Sequence, residues 1–163
     1  MPYKFDKLSV LVVEDSPPML EVVVNALKLL GVGRVLQARD GEQGFHAFTK
    51  ERPDIVITDW EMEPVDGPEM VEWIRRQNTS PKRTVPIIMM TGYAATARVA
   101  HARDNGITEF LVKPFTANEL ARRIAYVIDA PRDFVETSEF YGPDRRRRKG
   151  SEHPGDERRK EDV

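Results

Sequence analysis

The chain has 163 residues, 40% of them hydrophobic, with no cysteine and a formal net charge of -2. This length supports one globular core of ordinary size, the lack of cysteine excludes disulfides and thiolate metal sites, and the near-neutral charge excludes a general attraction to nucleic acid. The sequence contains neither a run of about 20 apolar residues nor an apolar signal segment, so we expect a cytoplasmic protein without membrane insertion.

Five short apolar runs alternate with five stretches of helical periodicity. The runs cover residues 8–13, 34–37, 55–58, 85–90 and 108–112, and their unalternating pattern is typical of strands buried on both faces. Ser16 and Pro17 predict the start of the first helix and Gly31 its end, and Thr116 predicts the cap of the last helix. The helices between them are predicted over residues 40–50, 68–77 and 94–105.

This alternation of strands and helices predicts right-handed βαβ crossovers. We therefore expect an α/β fold with a doubly wound, five-stranded parallel sheet in the order 2-1-3-4-5, as in flavodoxin-like proteins. The periodicity ends near residue 130, so the sequence divides into a domain over residues 1–130 and a tail over residues 131–163.

Reactive side chains follow four of the five predicted strands: Glu14 and Asp15 the first, Asp59 the third, Thr91 the fourth and Lys113 the fifth. Because the carboxyl ends of parallel strands share one edge of the sheet, we expect these side chains to meet in one pocket. Mg²⁺ prefers oxygen ligands, which predicts Asp15 and Asp59 as direct ligands, Glu14 as a ligand through water, and the backbone carbonyl of Glu61 as a further ligand. In such a pocket Asp59 can accept a phosphoryl group, with Thr91 and Lys113 contacting its oxygens.

The chain resembles the receiver domains of two-component response regulators over about residues 7–129. The matched positions are Glu14-Asp15, Asp59, the stretch from Met62 to Asp66-Gly67, Thr91-Gly92 and Lys113-Pro114-Phe115. The resemblance implies phosphorylation of Asp59 by a histidine kinase or phosphotransfer protein, dependence on Mg²⁺, and a cis bond before Pro114. It also implies a switch in which Thr91 moves toward the phosphoryl group and Phe110 turns inward. No catalysis is implied beyond the protein's own phosphorylation and dephosphorylation.

The loop after Asp59 departs from the family pattern. The family usually has a Met-Pro pair there, whereas this chain has Met62-Glu63-Pro64-Val65, which moves the proline by one place and inserts an acid. We expect the loop to turn all the same.

The tail is rich in arginine and contains equal numbers of basic and acidic residues. It cannot bury enough apolar surface to fold alone, so we expect it to be disordered until a ligand orders it. A Gly/Pro turn followed by an acid and an arginine pair occurs twice, within residues 142–146 and 154–159. The planar fork of arginine fits the O6/N7 edge of guanine, and carboxylates can accept hydrogen bonds from guanine N1 and N2.

The tail resembles the arginine-rich extension of the Cle subgroup of chemotaxis-type (CheY-like) receivers over about residues 141–160. Members of that subgroup bind cyclic di-GMP and act on the flagellar motor. The resemblance implies a motor switch protein as partner and cyclic di-GMP as a ligand of nine tail residues: Asp144, Arg145, Arg146, Arg147, Arg148, Asp156, Glu157, Arg158 and Arg159.

Two other interpretations of the chain stay open at this point. In the first, the protein is a phosphorelay shuttle with an idle tail, and removing the residues after 130 has no effect. In the second, the basic tail binds RNA or DNA, and its affinity falls steeply with salt and ignores base identity. We do not expect nucleic acid as the main partner, because the segment after residue 130 lacks the periodicity of a helix-turn-helix.

Overall fold

The computed structural model describes residues 4–76, 84–92 and 106–129, together with residues 134–136 and 141–143 of the tail. Five strands form the central sheet: β1 Ser9–Val13, β2 Arg34–Ala38, β3 Ile55–Asp59, β4 Ile87–Thr91 and β5 Glu109–Val112. All neighbouring strands are parallel and the order is β2-β1-β3-β4-β5. The predicted sheet is confirmed.

Four helices lie among the described residues: α1 Pro17–Leu29, α2 Gly41–Glu51, α3 Gly67–Arg76 and α4 Ala117–Asp129. The helix predicted over residues 94–105 lies outside the described residues. Helix α1 ends two residues before Gly31, which has a φ of 85° and turns the chain toward β2. Only glycine adopts this left-handed conformation without strain, which explains why the helix stops there.

The predicted caps fix where α1 and α4 begin. The Ser16 side chain accepts a hydrogen bond from the Met19 backbone N–H at 3.5 Å, and Pro17 occupies the first turn. At α4 the Thr116 hydroxyl accepts from the Glu119 N–H at 3.1 Å, while the Glu119 carboxylate accepts from the Thr116 N–H at 3.0 Å. This reciprocal pair is a capping box, and it holds the last helix at a fixed distance after β5.

Each face of the sheet carries its own hydrophobic cluster. One cluster packs α1 and α4 against side chains such as Val10, Ile57 and Met90. The other packs α2 and α3 against alternate positions of the same strands, including Leu11 and Met89. Because both faces are covered, the sheet edge at the carboxyl ends of the strands is left as the place for a site.

Two short strands lie in the tail, where the sequence predicts no regular structure. Strand β6 covers Phe134–Glu136, strand β7 covers Tyr141–Pro143, and the two pair antiparallel. This part of the tail therefore departs from the expectation of disorder, and both arginine-rich stretches lie outside the described residues. Of the helices the structure describes, none is long and apolar enough to cross a membrane.

Candidate functional site

The strand register brings the predicted site residues to one edge of the sheet. Asp59 is the last residue of β3 and pairs with Met90, so Thr91 lies one position further along β4. Thr91 pairs with Val112, and the backbone N–H of Lys113 donates to the Thr91 carbonyl at 2.7 Å. Glu14 directly follows β1 and donates its own N–H to Ala38 at 3.0 Å. The tertiary fold thus places all four strand ends beside each other.

The Lys113 ammonium connects two of these carboxylates. Its Nζ donates to Asp59 Oδ1 at 2.9 Å and to Glu14 Oε1 at 3.5 Å. Asp59 Oδ1 also accepts the backbone N–H of Trp60 at 2.9 Å. Charge-assisted hydrogen bonds of this kind are among the stronger ones, so the Asp59 carboxylate has a fixed orientation.

The carboxylates of Glu14, Asp15 and Asp59 form a compact acidic cluster. One oxygen from each lies within 4.8 Å of the others. Asp15 is exposed, whereas Glu14 is 1% exposed and uses Oε2 to accept the Ser16 N–H at 3.1 Å. Both Glu14 oxygens are therefore engaged by protein donors, which suits a ligand that acts through water. Three carboxylates beside a single ammonium group leave excess negative charge, which fits Mg²⁺. The roles of Asp15 and Asp59 as direct ligands stay predictions.

Two pKa shifts follow from this crowding. The pKa of Glu14 is raised from 4.5 to about 7, chiefly by burial and also by the nearby Asp59 charge, against the opposing effects of the Ser16 N–H and Lys113. Burial would by itself lower the pKa of Lys113, but its hydrogen bond to Asp59 and the charges of Asp59 and Glu14 raise it above its ordinary value. Lys113 is thus charged at neutral pH, while Glu14 titrates close to neutrality.

The raised pKa of Glu14 predicts that Mg²⁺ affinity depends on pH. A bound cation favours the ionised carboxylate of Glu14. At pH 6 most Glu14 side chains are protonated and must lose a proton when Mg²⁺ binds, whereas at pH 8 most are already ionised. For one linked proton with a pKa of about 7, the apparent affinity should be about tenfold weaker at pH 6 than at pH 8. Tryptophan fluorescence during Mg²⁺ titration would measure this difference, because Trp60 adjoins Asp59.

Matched variants test the assignment of this pH dependence. Glu14→Gln should make Mg²⁺ affinity nearly independent of pH between 6 and 8. Glu63→Gln makes the same change of charge at an exposed loop position and should leave the dependence intact. An unmodified protein whose affinity is equal at the two pH values would contradict the prediction.

The stability of the fold without a cation changes with pH in the opposite direction from the Mg²⁺ affinity. Because the pKa of Glu14 is higher in the folded state than its ordinary 4.5, the fold favours the protonated form. This contribution to stability is present at low pH and is lost as the pH rises through about 7. A bound cation would restore stability above that pH.

Two further predicted site residues lie on strands β4 and β5. Thr91 is buried at the end of β4, and Phe110 on β5 is half-buried against the α2/α3 cluster. The loop after Asp59 turns as expected: Met62 and Val65 are buried, the Glu63-Pro64 bond is cis, and Gly67 donates its N–H to the Trp60 carbonyl at 2.9 Å.

Three groups of predictions have different outcomes. The implied cis Lys113-Pro114 bond is confirmed. Glu61 lies exposed in the loop, and a role for its carbonyl as a metal ligand stays a prediction. The nine tail residues assigned to cyclic di-GMP lie outside the described residues.

Sequence reasoning missed Arg75, a fully buried arginine on α3. Its side chain donates from Nη1 to the Val85 carbonyl at 2.7 Å and from Nε and Nη2 to the Gly106 carbonyl at 3.0 and 2.9 Å. Nη2 also donates to the Thr108 hydroxyl at 3.3 Å. The one feature of the sequence that could have indicated its burial is its helical spacing: Arg75 follows Val71 by one turn, on the buried side of α3.

Comparisons with known proteins agree with this geometry. Residues 10–125 match the model of the response regulator receiver domain family. A chemotaxis protein CheY homolog of Campylobacter jejuni is 34% identical over 122 residues, which are 74% of this chain and 92% of that protein.

Two solved structures extend the likeness. The chemotaxis protein CheY4 of Vibrio cholerae superposes with a TM-score of 0.68 at 30% identity, covering 74% of this chain and 98% of the other. The receiver domain of the sensor histidine kinase PA1611 of Pseudomonas aeruginosa has a magnesium ion in its active-site cleft; its TM-score is 0.65 at 32% identity, over 72% of this chain and 93% of that domain. The chain therefore belongs to the response regulator receiver domain family and has its CheY-like fold.

Proposed function

We propose that the protein is a response regulator that is phosphorylated on Asp59 in the presence of Mg²⁺. The observation that carries this proposal is the position of Asp59, whose carboxylate is held by Lys113 at 2.9 Å within an acidic cluster at the sheet edge. A surface ion pair between Lys113 and Asp59 would not explain why Glu14 is buried beside them or why three carboxylates converge there. The protein converts no external substrate and catalyses only its own phosphorylation and dephosphorylation.

The phosphoryl donor is a phosphohistidine on a histidine kinase or a phosphotransfer protein. Asp59 Oδ1 already accepts two hydrogen bonds, so we assign the attack on phosphorus to Oδ2. The new P–O bond forms as the P–N bond of the donor breaks, and the imidazole keeps the electron pair and takes up a proton. Mg²⁺, when bound, offsets the repulsion between the acids and the phosphoryl oxygens. Lys113 and the Thr91 hydroxyl donate to those oxygens.

We further propose that the arginine-rich tail binds cyclic di-GMP. The guanidinium groups of the two arginine elements can donate to guanine edges and to phosphates. The carboxylates of Asp144, Asp156 and Glu157 can accept hydrogen bonds from guanine N1 and N2. The ligand, with two guanines and two phosphates, satisfies both kinds of group at once. The downstream partner is then a protein such as a flagellar motor switch component, reached in the cytoplasm. The similarity to chemotaxis proteins supports this output.

Calorimetric titration tests the tail assignment. The full chain should bind cyclic di-GMP but not cyclic di-AMP, and a chain ending at Ala130 should bind neither. Arg145→Ala combined with Arg146→Ala removes two bidentate contacts of about 1.5 kcal/mol each, which should weaken binding about 100-fold. The control combines Lys28→Ala with Arg122→Ala, two exposed cations on α1 and α4, and should keep the affinity of the full chain.

The same titration separates the competing functions. Equal binding of both cyclic dinucleotides, or an affinity that falls steeply with salt for any polyanion, would favour the nucleic-acid interpretation. An unchanged affinity in the double arginine variant would overturn the tail assignment. No binding by the full chain would leave a receiver that acts as a phosphorelay shuttle.

A further inference from the structure

The tail hairpin lies against helix α3. Strands β6 and β7 pair in the register Phe134↔Pro143, Val135↔Gly142 and Glu136↔Tyr141, and Cα atoms of β7 approach those of α3 to within 8 Å. A two-stranded hairpin with strands this short is not stable alone in water. Its stability must therefore come in part from α3.

Strand β7 also contains the start of the first arginine element. Gly142 and Pro143 are residues of β7, and Asp144, Arg145 and Arg146 follow without interruption. Two residues of extended chain span at most about 7 Å, so the first arginine is tethered within that distance of the end of β7. The position of α3 hence determines where the arginine cluster begins.

The amino end of α3 is packed against the phosphoacceptor. Gly67, its first residue, donates its N–H to the Trp60 carbonyl at 2.9 Å, and a Cβ at this position would lie 2.3 Å from the Asp59 carbonyl oxygen. The loop between them is also anchored to α2, because Val65 accepts the Gly41 N–H at 2.9 Å. No side chain can be inserted between α3 and Asp59 without moving the backbone of one of them.

The carboxyl end of α3 is attached to the strands that carry Thr91 and Lys113. Arg75 donates to the carbonyls of Val85 and Gly106, which lie just before β4 and β5. Packed interiors do not deform continuously, so a shift of α3 must be shared with the sheet and with the loop after Asp59. Helix α3 is thus a rigid connection between the tail and the pocket.

We propose that the β6–β7 hairpin is an intramolecular positive effector of the Asp59 pocket that acts through α3. When docked, it stabilises the arrangement of α3 and the 60–66 loop that binds Mg²⁺ and a phosphoryl group. The docked hairpin also keeps Gly142 and Pro143 ordered, which lowers the entropic cost of ordering the arginine element around a ligand. By linkage, occupancy of the pocket then increases the affinity of the tail for cyclic di-GMP; this second half rests on the proposed function.

The test replaces Phe134, Val135 and Glu136 of the full chain with Gly-Ser-Gly, which removes β6 but keeps the arginine element. The control replaces Asp162 and Val163 with Ser-Gly, which changes the net charge by the same amount and leaves residues 141–160 intact. Calorimetric titration with Mg²⁺ and beryllofluoride should show pocket affinity about fivefold weaker in the β6 variant and unchanged in the control. Pocket affinity in the β6 variant equal to or tighter than that of the full chain would overturn the proposal.

Cyclic di-GMP titration of the same three chains provides the second readout. Saturating Mg²⁺ and beryllofluoride should tighten nucleotide binding about fivefold in the full chain and the control, and should have no effect in the β6 variant. An affinity for cyclic di-GMP that is the same with and without Mg²⁺ and beryllofluoride in the full chain would overturn the linkage. The assignment of the tail as the nucleotide site would then still stand. Weaker pocket affinity in the β6 variant without any nucleotide binding would instead uphold the effector role of the hairpin and contradict the proposed ligand.

Discussion

Replacing Asp59 with asparagine is expected to abolish phosphorylation of the protein. The amide keeps the size and shape of the carboxylate but lacks the negative charge and the nucleophilic oxygen that attack phosphorus. It also removes the charge that Lys113 Nζ contacts at 2.9 Å. Because the Asp59 carboxylate itself forms the new bond, the phosphorylation rate should fall by more than about 1,000-fold. Loss of a hydrogen bond that only supports the reaction would have a smaller effect.

Intact-mass spectrometry measures this loss directly. The protein is incubated with Mg²⁺ and a small phosphoryl donor, and the fraction that gains one phosphoryl group is followed with time. Asp129→Asn makes the same chemical change at the exposed end of α4 and should label at the rate of the unmodified chain. Phosphoryl incorporation by Asp59→Asn at a comparable rate would place the acceptor at another residue.

The strand-end positions of the pocket could be predicted because they depend only on topology. Once β3, β4 and β5 are parallel neighbours, Asp59, Thr91 and Lys113 must reach the same edge, whatever the details of packing. The burial of Glu14 is different. Desolvation by surrounding side chains and the charge of Asp59 on β3 raise its pKa to about 7, and no local sequence pattern indicates either effect.

The tail illustrates another limit of local patterns. Strands β6 and β7 have three residues each, which is too short for a polar/apolar alternation to be recognised. Their support comes from α3, which lies about 60 residues earlier in the sequence. Composition alone predicts disorder for the whole tail because it takes no account of such a tertiary contact.

Arg75 is the clearest case of a residue whose role only the tertiary structure reveals. A charged residue at the end of an amphipathic helix is normally expected to reach solvent, as Arg76 does in pairing with Glu72 at 3.1 Å. Arg75 is instead 1% exposed and donates to two backbone carbonyls and a threonine hydroxyl. The two carbonyls, of Val85 and Gly106, precede β4 and β5 and lie outside the paired register of those strands.

Arg75→Met is therefore expected to destabilise the fold strongly. Methionine fills part of the volume but leaves the buried carbonyls of Val85 and Gly106 without the donors they have now. Each orphaned carbonyl costs about 1–3 kcal/mol, so the free energy of unfolding should fall by about 3 kcal/mol. Urea denaturation followed by circular dichroism measures the change, and the slope of the transition should stay constant.

Arg76→Met is the matched control for this loss. It removes the same charge from the next residue, where the guanidinium is about one third exposed and its pair with Glu72 lies at the surface. Surface ion pairs contribute at most about 1 kcal/mol, so this variant should stay close to the unmodified protein. Equal stability of the two variants would mean that Arg75 does not hold α3 to the strands. The carboxyl end of α3 would then not be firmly attached to β4 and β5, which would weaken the case for α3 as a rigid connection between the tail and the Asp59 pocket.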